Sequence, residues 1–179
     1  MSKSVLIIST SPRKGSNSDA LADALAQGAR EEGHSVEKID PRGKTIGFCQ
    51  GCMACQKTGR CVIHDDADTI AQKMLTADVL VFATPIYYYE MCGQMKTMLD
   101  RANPLYIADY AFRDVYLLAT AADEDETAMD GAIKGMEGWI ACFEKSRLAG
   151  TVFGGGVTEP GAIEGHPALK KAHDIGQRI

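Results

Sequence analysis

Short apolar segments alternate with amphipathic segments along the chain. Segments 5–9 and 79–83 are nearly continuous apolar runs, as expected for strands that are buried on both faces of a sheet. The same pattern predicts three further strands, at residues 35–39, 115–119 and 151–153.

The segments between these strands carry apolar residues at helical spacing, which predicts helices with one buried stripe each. Leu21, Leu25 and Ala29 form the first stripe, after Asn17 or Ser18 as the capping residue. Pro167 suits the first turn of a last helix. The stripes of the other predicted helices contain Ile70 and Met74; Met91, Met95, Met98 and Leu99; Met129, Ile133, Met136, Ile140 and Phe143; and Leu169 and Ala172.

Strict alternation of strands and helices predicts an α/β protein with a doubly wound, five-stranded parallel sheet and helices on both faces. The expected strand order is 2-1-3-4-5, and ligands of such sheets bind beyond the carboxyl ends of the strands. We expect one domain over residues 1–179, with a cysteine-containing loop insertion at 42–64.

Composition excludes several classes of protein. The 179 residues are 45% apolar and 24% charged, which is the globular range. A net charge of −5 disfavours nucleic acid or an anionic membrane as a partner. No apolar run approaches the length of about 20 residues that spans a bilayer. The start of the sequence, with its apolar run at residues 5–8, is too short for a signal peptide and lacks a small-residue cleavage site. We therefore expect a cytoplasmic protein.

The loop after the first predicted strand is rich in small hydrogen-bond donors. Because it leads from a buried strand into a helix, its free backbone N–H groups and the helix dipole favour an anion. The spacing matches neither a dinucleotide fingerprint nor a P-loop, and many small donors suit a terminal phosphate monoester. A capped helix after a polar turn is the alternative. The candidate binding residues are Ser9, Ser11, Arg13, Ser16, Asn17 and Ser18.

Residues 11–18 (SPRKGSNS) resemble the phosphate loop of the NAD(P)H-dependent FMN reductase group of flavodoxin-like proteins. This resemblance implies a flavodoxin-like fold and an FMN cofactor whose phosphate lies in this loop. It also implies NAD(P)H as the electron donor, because no segment of the sequence identifies a nicotinamide by itself.

Residues 84–90 are predicted to form a second loop at the same sheet edge. Pro85, Ile86, Tyr87 and Tyr88 match the Pro-x-Tyr loop that lies along the isoalloxazine ring in this family. Aromatic rings there can stack on a flavin, although tyrosines in the core or at an interface would give the same pattern. From their position in the fold, Thr120 and Ala121 are expected to form a third wall.

Cys49, Cys52, Cys55 and Cys61 form a C-x2-C-x2-C-x5-C pattern. Compact runs of this kind are typical ligands of a [4Fe–4S] cluster. Tetrahedral zinc is a competing interpretation, and free or redox-active thiols are a third. The run resembles that of the iron–sulfur flavoproteins of anaerobes, which pass electrons between a [4Fe–4S] cluster and FMN.

Three functions are therefore compatible with the sequence. The first is an FMN-dependent oxidoreductase that uses NAD(P)H to reduce a flavin, a quinone or a similar small acceptor, with no catalytic side chain required. The second is an iron–sulfur flavoprotein that carries electrons between ferredoxin, the cluster and FMN. The third is a redox-sensing or thiol-binding module without a flavin. The family resemblance also implies a homodimer or homotetramer.

Overall fold

In the computed structural model, which describes residues 1–179, six strands belong to one sheet. Five of them are parallel and lie in the order β2-β1-β3-β5-β6, while the two-residue β4 pairs antiparallel with the end of β3. The predicted order of the five parallel strands is thus confirmed. The strands are β1 (Ser4–Ser9), β2 (Ser35–Ile39), β3 (Val79–Tyr87), β4 (Glu90–Met91), β5 (Asp114–Thr120) and β6 (Arg147–Gly154).

Helices cover both faces of the sheet, as predicted. One face packs against α1 and α6 around Leu21, Leu25 and Ala172. The other packs against α3, α4 and α5 in a larger core that includes Phe82 and Met98. The helices are α1 (Asn17–Glu31), α2 (Cys55–Thr58), α3 (Asp66–Thr76), α4 (Gly93–Arg101), α5 (Asp130–Ile140) and α6 (Pro167–Gly176), with 3₁₀ turns at Asn103–Ile107 and Glu126–Met129.

The segment after the third predicted strand differs from the expected loop. The strand β3 continues to Tyr87, and the chain turns at Tyr88 and Tyr89 and returns as β4. Both turn residues are left-handed, with φ of +52° and +64°, a conformation that hairpin turns normally assign to Asn or Gly. Met91 consequently lies in β4 and not in the predicted helix, which begins at Gly93.

No helix in the structure is both long enough and apolar enough to cross a membrane.

Helix α1, which begins at the phosphate-loop candidate, is held by a close crossing with α6. A Cβ atom added to Gly28 would overlap with the carbonyl oxygen of His173, and one added to Gly176 would overlap with that of Leu25. Glycine on both helices therefore lets the two backbones touch, which fixes the position of α1 against the sheet.

Gly28→Ala should lower the free energy of unfolding by about 2 kcal/mol, because the added methyl group must push α6 away. Gly138→Ala, on α5 with nothing near its Cβ position, is the matched control and should raise it by about 0.5–1 kcal/mol through helix propensity. Urea unfolding of both variants measures the difference. Equal effects would contradict the close crossing.

Candidate functional site: a polar cleft and a cysteine loop

Four segments meet in a cleft at the carboxyl edge of the sheet. They are the β1–α1 loop, the end of β3, the segment after β5 and the segment after β6. The cleft holds about 160 Å³ and combines hydroxyl and amide side chains at one end with small and apolar side chains at the other. Its lining residues are Ser11, Arg13, Ser16, Asn17, Ser18, Pro85, Ile86, Tyr87, Thr120, Ala121, Ala122, Val157, Thr158 and Pro160.

The β1–α1 loop presents a run of free backbone donors. The N–H groups of residues 14–18 donate to no acceptor in the protein. Gly15 makes the turn possible with a φ of +66°, and the Ser16 hydroxyl caps α1 by accepting from the Asp19 N–H at 3.2 Å. Free N–H groups at the positive end of a helix dipole, beside buried hydroxyls, suit an anion.

Arg13 and Asn17 connect this loop to the segment after β6. Arg13 donates from Nη1 to the Thr158 carbonyl at 2.8 Å and from Nη2 to Glu159 Oε2 at 3.4 Å. Asn17 donates to the Glu159 carbonyl at 3.0 Å and accepts from the Ile163 N–H at 3.2 Å. Both residues thus line the cleft and also hold the segment after β6 in place through hydrogen bonds.

Two predicted site residues lie outside the cleft lining. Ser9 is buried in β1 opposite Ala83 of β3, and Tyr88 is fully exposed at the tip of the β3–β4 turn. The segment 157–160 was missed by the sequence analysis. Its signal is weak, because only the break at Gly155 and Gly156 marks the end of β6.

The apolar end of the cleft is a slot between β3 and β5. Pro85 lies in register with Thr120, and the side chains of Thr120 and Ala121 are small and buried. Tyr87 is half-exposed at the rim. Tyr89 donates to Asp123 Oδ2 at 3.3 Å, which joins the hairpin to the segment after β5. Such a slot suits one edge of a planar ring.

The four clustered cysteines line one small cavity between the cysteine loop (residues 42–64) and the end of α4. Three of their sulfurs accept N–H hydrogen bonds: Cys49 from Gly51 at 3.4 Å, Cys61 from Ile63 at 3.5 Å, and Cys55 from the Asn103 side chain at 3.1 Å. All six cysteines of the chain are free thiols. No three His, Cys, Asp or Glu side chains surround a point that fits a single metal ion.

A buried ion pair anchors both ends of the cysteine loop. Arg101, at the end of α4, binds both oxygens of Asp65 at 2.7 Å and the carbonyls of Gly47 and Ile63 at 2.8 and 3.0 Å. The two side chains are 0% and 8% exposed. Hydrogen bonds from the guanidinium lower the pKa of Asp65 against the opposing effect of burial.

The other acidic residues at the start of α3 also hold the loop. Asp66 accepts from the Thr45 N–H at 2.7 Å. Asp68 is buried and accepts from Arg60 and from the Cys61 N–H at 3.3 Å. The Arg60 hydrogen bonds are the main reason that the pKa of Asp68 is lowered. The three carboxylates therefore do more than complement the dipole of α3.

The doubly wound sheet with a cleft at its carboxyl edge defines a flavodoxin-like α/β protein. The chain belongs to the family of NADPH-dependent FMN reductases, which matches residues 4–164.

Several known proteins are similar to this chain. An iron–sulfur flavoprotein of Archaeoglobus fulgidus is 37% identical over 52% of this chain and 43% of its own length. One of Methanosarcina thermophila is 28% identical over 96% of this chain and 91% of its own. The chain thus spans about half the length of the first of these relatives. The structure of an NAD(P)H:quinone oxidoreductase from Methanothermobacter marburgensis superposes with a TM-score of 0.72 and 18% identity, covering 99% of this chain and 97% of that one.

Asp65→Asn should lower the free energy of unfolding at pH 7 by about 3 kcal/mol, because it leaves the buried Arg101 charge without its partner. Asp100→Asn, which breaks an exposed pair with Lys96 on the same helix, is the control and should change it by less than about 1 kcal/mol.

The difference between the wild type and Asp65→Asn should depend on pH. Since the folded pKa of Asp65 lies below its usual value, the pair stabilises the fold fully above about pH 4 and loses this effect as the pH falls through the folded pKa. Urea unfolding from pH 7 to pH 3 should therefore show the two proteins converging. A constant difference would contradict the ion pair as its source.

Proposed function

We propose that this protein is an FMN-dependent oxidoreductase that uses NAD(P)H to reduce a flavin, a quinone or a similar small acceptor. The observation that carries this proposal is the run of free N–H groups at residues 16–18, which line the same cleft as the slot between β3 and β5. A phosphate at one end and a planar ring at the other is the shape of FMN. Membership of the FMN reductase family supports the same cofactor.

FMN supplies the redox chemistry when it is bound. The chain's own residues would bind and orient it: the free N–H groups of residues 16–18 and the hydroxyls of Ser11, Ser16 and Ser18 line the end of the cleft that would hold the phosphate. Pro85, Ile86 and Tyr87 line one side of the slot, and Thr120 and Ala121 line another.

The cleft offers no side chain suited to acid–base catalysis at neutral pH. Its lining contains no carboxylate, histidine or cysteine, and its only titratable residues are Arg13 and Tyr87. This composition fits a reaction in which hydride moves between bound molecules and the protein provides access and electrostatics. The exposed rings of Tyr87, Tyr88 and Tyr89 at the rim are suited to contact a nicotinamide or a planar acceptor.

Ser18→Ala should weaken FMN binding about ten- to a hundredfold, because a hydrogen bond to a charged group contributes about 1.5–3 kcal/mol. Ser18 is fully buried at the start of α1. Ser146→Ala is the matched control, since the Ser146 hydroxyl donates to the Phe112 carbonyl at the opposite edge of the sheet. The FMN affinity of this variant should equal that of the wild type. Quenching of FMN fluorescence on titration measures both. Failure of the wild type to bind FMN would favour the thiol-binding module.

The activity itself is tested by oxidation of NADH and NADPH by the FMN-loaded protein with a water-soluble quinone or free flavin as acceptor. Double-reciprocal plots of the initial rate against NAD(P)H concentration, at several fixed acceptor concentrations, should give parallel lines. This pattern is expected because donor and acceptor would use one pocket in succession. Retained FMN without oxidation of either nicotinamide would exclude the reductase function. A homodimer or homotetramer remains a prediction that sedimentation tests.

A second candidate function is an iron–sulfur electron carrier. The convergence of Cys49, Cys52, Cys55 and Cys61 on one cavity, with N–H donors to three of the sulfurs, favours it. The four thiolates would be the ligands of a [4Fe–4S] cluster, and such a site does not require that the sulfurs surround a single ion. The donors fit the charge of such a cluster, and the group would supply one-electron chemistry. Relatives named iron–sulfur flavoproteins agree with this candidate.

The room between the cysteines is about 20 Å³, which holds little more than a water molecule. A cluster occupies more space than this, so the cavity would have to widen on the side of the exposed Cys49 and Cys52. Cys49 and Cys52 are exposed, Cys61 is half-buried and Cys55 is buried.

Cys61→Ser should lose the iron and acid-labile sulfide of anaerobically purified or reconstituted protein but keep FMN. Cys142→Ser, an exposed thiol outside the four, is the control and should retain about four irons per chain. Assays of iron, sulfide and the visible spectrum on the same samples decide the outcome. Wild-type protein with flavin bands and no iron would exclude the carrier and leave the reductase.

A further inference from the structure

Two side chains at the C-terminal corner of α4 approach the sulfurs of the cysteine site. Asn103 and Arg101, hereafter the α4 corner, both line the cavity with the four cysteines. We propose that the α4 corner raises the reduction potential of the cluster held by these cysteines, with Asn103 as the principal positioning residue. The assignment rests on the electron-carrier candidate proposed above.

Asn103 donates directly to a cysteine sulfur. Its Nδ2 lies 3.1 Å from Cys55 Sγ, while the other two N–H donors to the cluster sulfurs are backbone groups of the cysteine loop itself. Cys55 is buried at 8% exposure, so this hydrogen bond is partly shielded from water. Asn103 also begins the 3₁₀ turn at Asn103–Ile107, where Pro104 restricts the backbone. The donor is therefore held by α4 and not by the loop that carries the ligands.

Arg101 adds a permanent charge on the same side of the cavity. Its Nη1 and Nη2 groups are occupied by Asp65 and two carbonyls, but its buried Nε has no acceptor. Hydrogen bonds to Asp65 are the main reason that the pKa of Arg101 is raised, so the guanidinium stays charged beside the cavity that the cysteines line. Arg101 thus keeps one unused buried donor and lines the same cavity as the four cysteines, although Asp65 offsets part of its charge.

Both features act on the two oxidation states unequally. One-electron reduction adds a negative charge that spreads over the cluster and its sulfurs. Hydrogen bonds to the sulfurs and a nearby positive charge stabilise the more negative state more strongly, and this effect is larger in a site that is shielded from water. Removing a donor should therefore shift the potential to a more negative value.

A merely structural role for Asn103 makes a different prediction. If the amide only pins Cys55, its loss would lower iron retention without moving the potential of the clusters that remain. The reduction potential of the cluster is consequently the measurement that separates an electrostatic role of Asn103 from a merely structural one.

The test is an EPR-monitored redox titration with dithionite of the FMN-loaded, reconstituted wild type, Asn103→Ala, Asn103→Asp and Asn103→Ser, with iron and sulfide assayed on each sample. Tyr106→Phe, an exposed residue of the same 3₁₀ turn, is the matched control. Asn103→Ala should shift the cluster potential negative, Asn103→Asp should shift it further because it adds a carboxylate, and Tyr106→Phe should leave it unchanged. The FMN potential should move in none of them.

If Asn103→Ala does not retain iron, Asn103→Asp decides, because it is nearly isosteric with asparagine but cannot donate, and it must have a more negative potential than the wild type. Asn103→Ser, whose hydroxyl is too short to reach Cys55, should shift the potential as Asn103→Ala does. Equal potentials in iron-loaded variants would overturn the role of the α4 corner and leave the carrier function intact. A wild type that binds FMN and takes up no iron on reconstitution would overturn both.

Discussion

Parallel pairing of the strands is the constraint on which the rest of this structure depends. Because each crossover must pass over a face of the sheet, the carboxyl ends of β1, β3, β5 and β6 gather at one edge. The segments that leave these ends are released from the ladder, so their backbone donors are available to a ligand. The free N–H groups of residues 14–18 and the slot between β3 and β5 both follow from this arrangement.

The same constraint explains which parts of the molecule the sequence could predict. The buried strands β1 and β3 are apolar on both faces, and that pattern has few alternatives. Their order follows from alternation with helices, and the phosphate loop follows from its place between a strand and a capped helix. Segment 35–39 was also located correctly, with the bounds that the structure gives to β2.

Other features depend on contacts between residues distant in sequence and leave little local signal. The turn at Tyr88 and Tyr89 uses bulky residues where hairpins normally use Asn or Gly, so residues 84–87 resembled a loop. The binding of Arg101 to Asp65, Gly47 and Ile63 joins segments up to 54 residues apart. The role of segment 157–160 in the cleft depends on its bonds to Arg13 and Asn17, which no periodicity reveals.

The anchoring of the cysteine loop by Arg101 and Asp68 holds the loop in place without any metal. In small zinc domains the metal organises the core, and chelation unfolds the chain. Here both ends of the loop are held by carboxylate–guanidinium pairs that contain no cysteine, and the two hydrophobic cores lie mainly outside the loop. In a protein built this way, the two cores and the cleft stay assembled whatever the state of the thiols, so oxidation or ligation of the cysteines need not unfold the sheet.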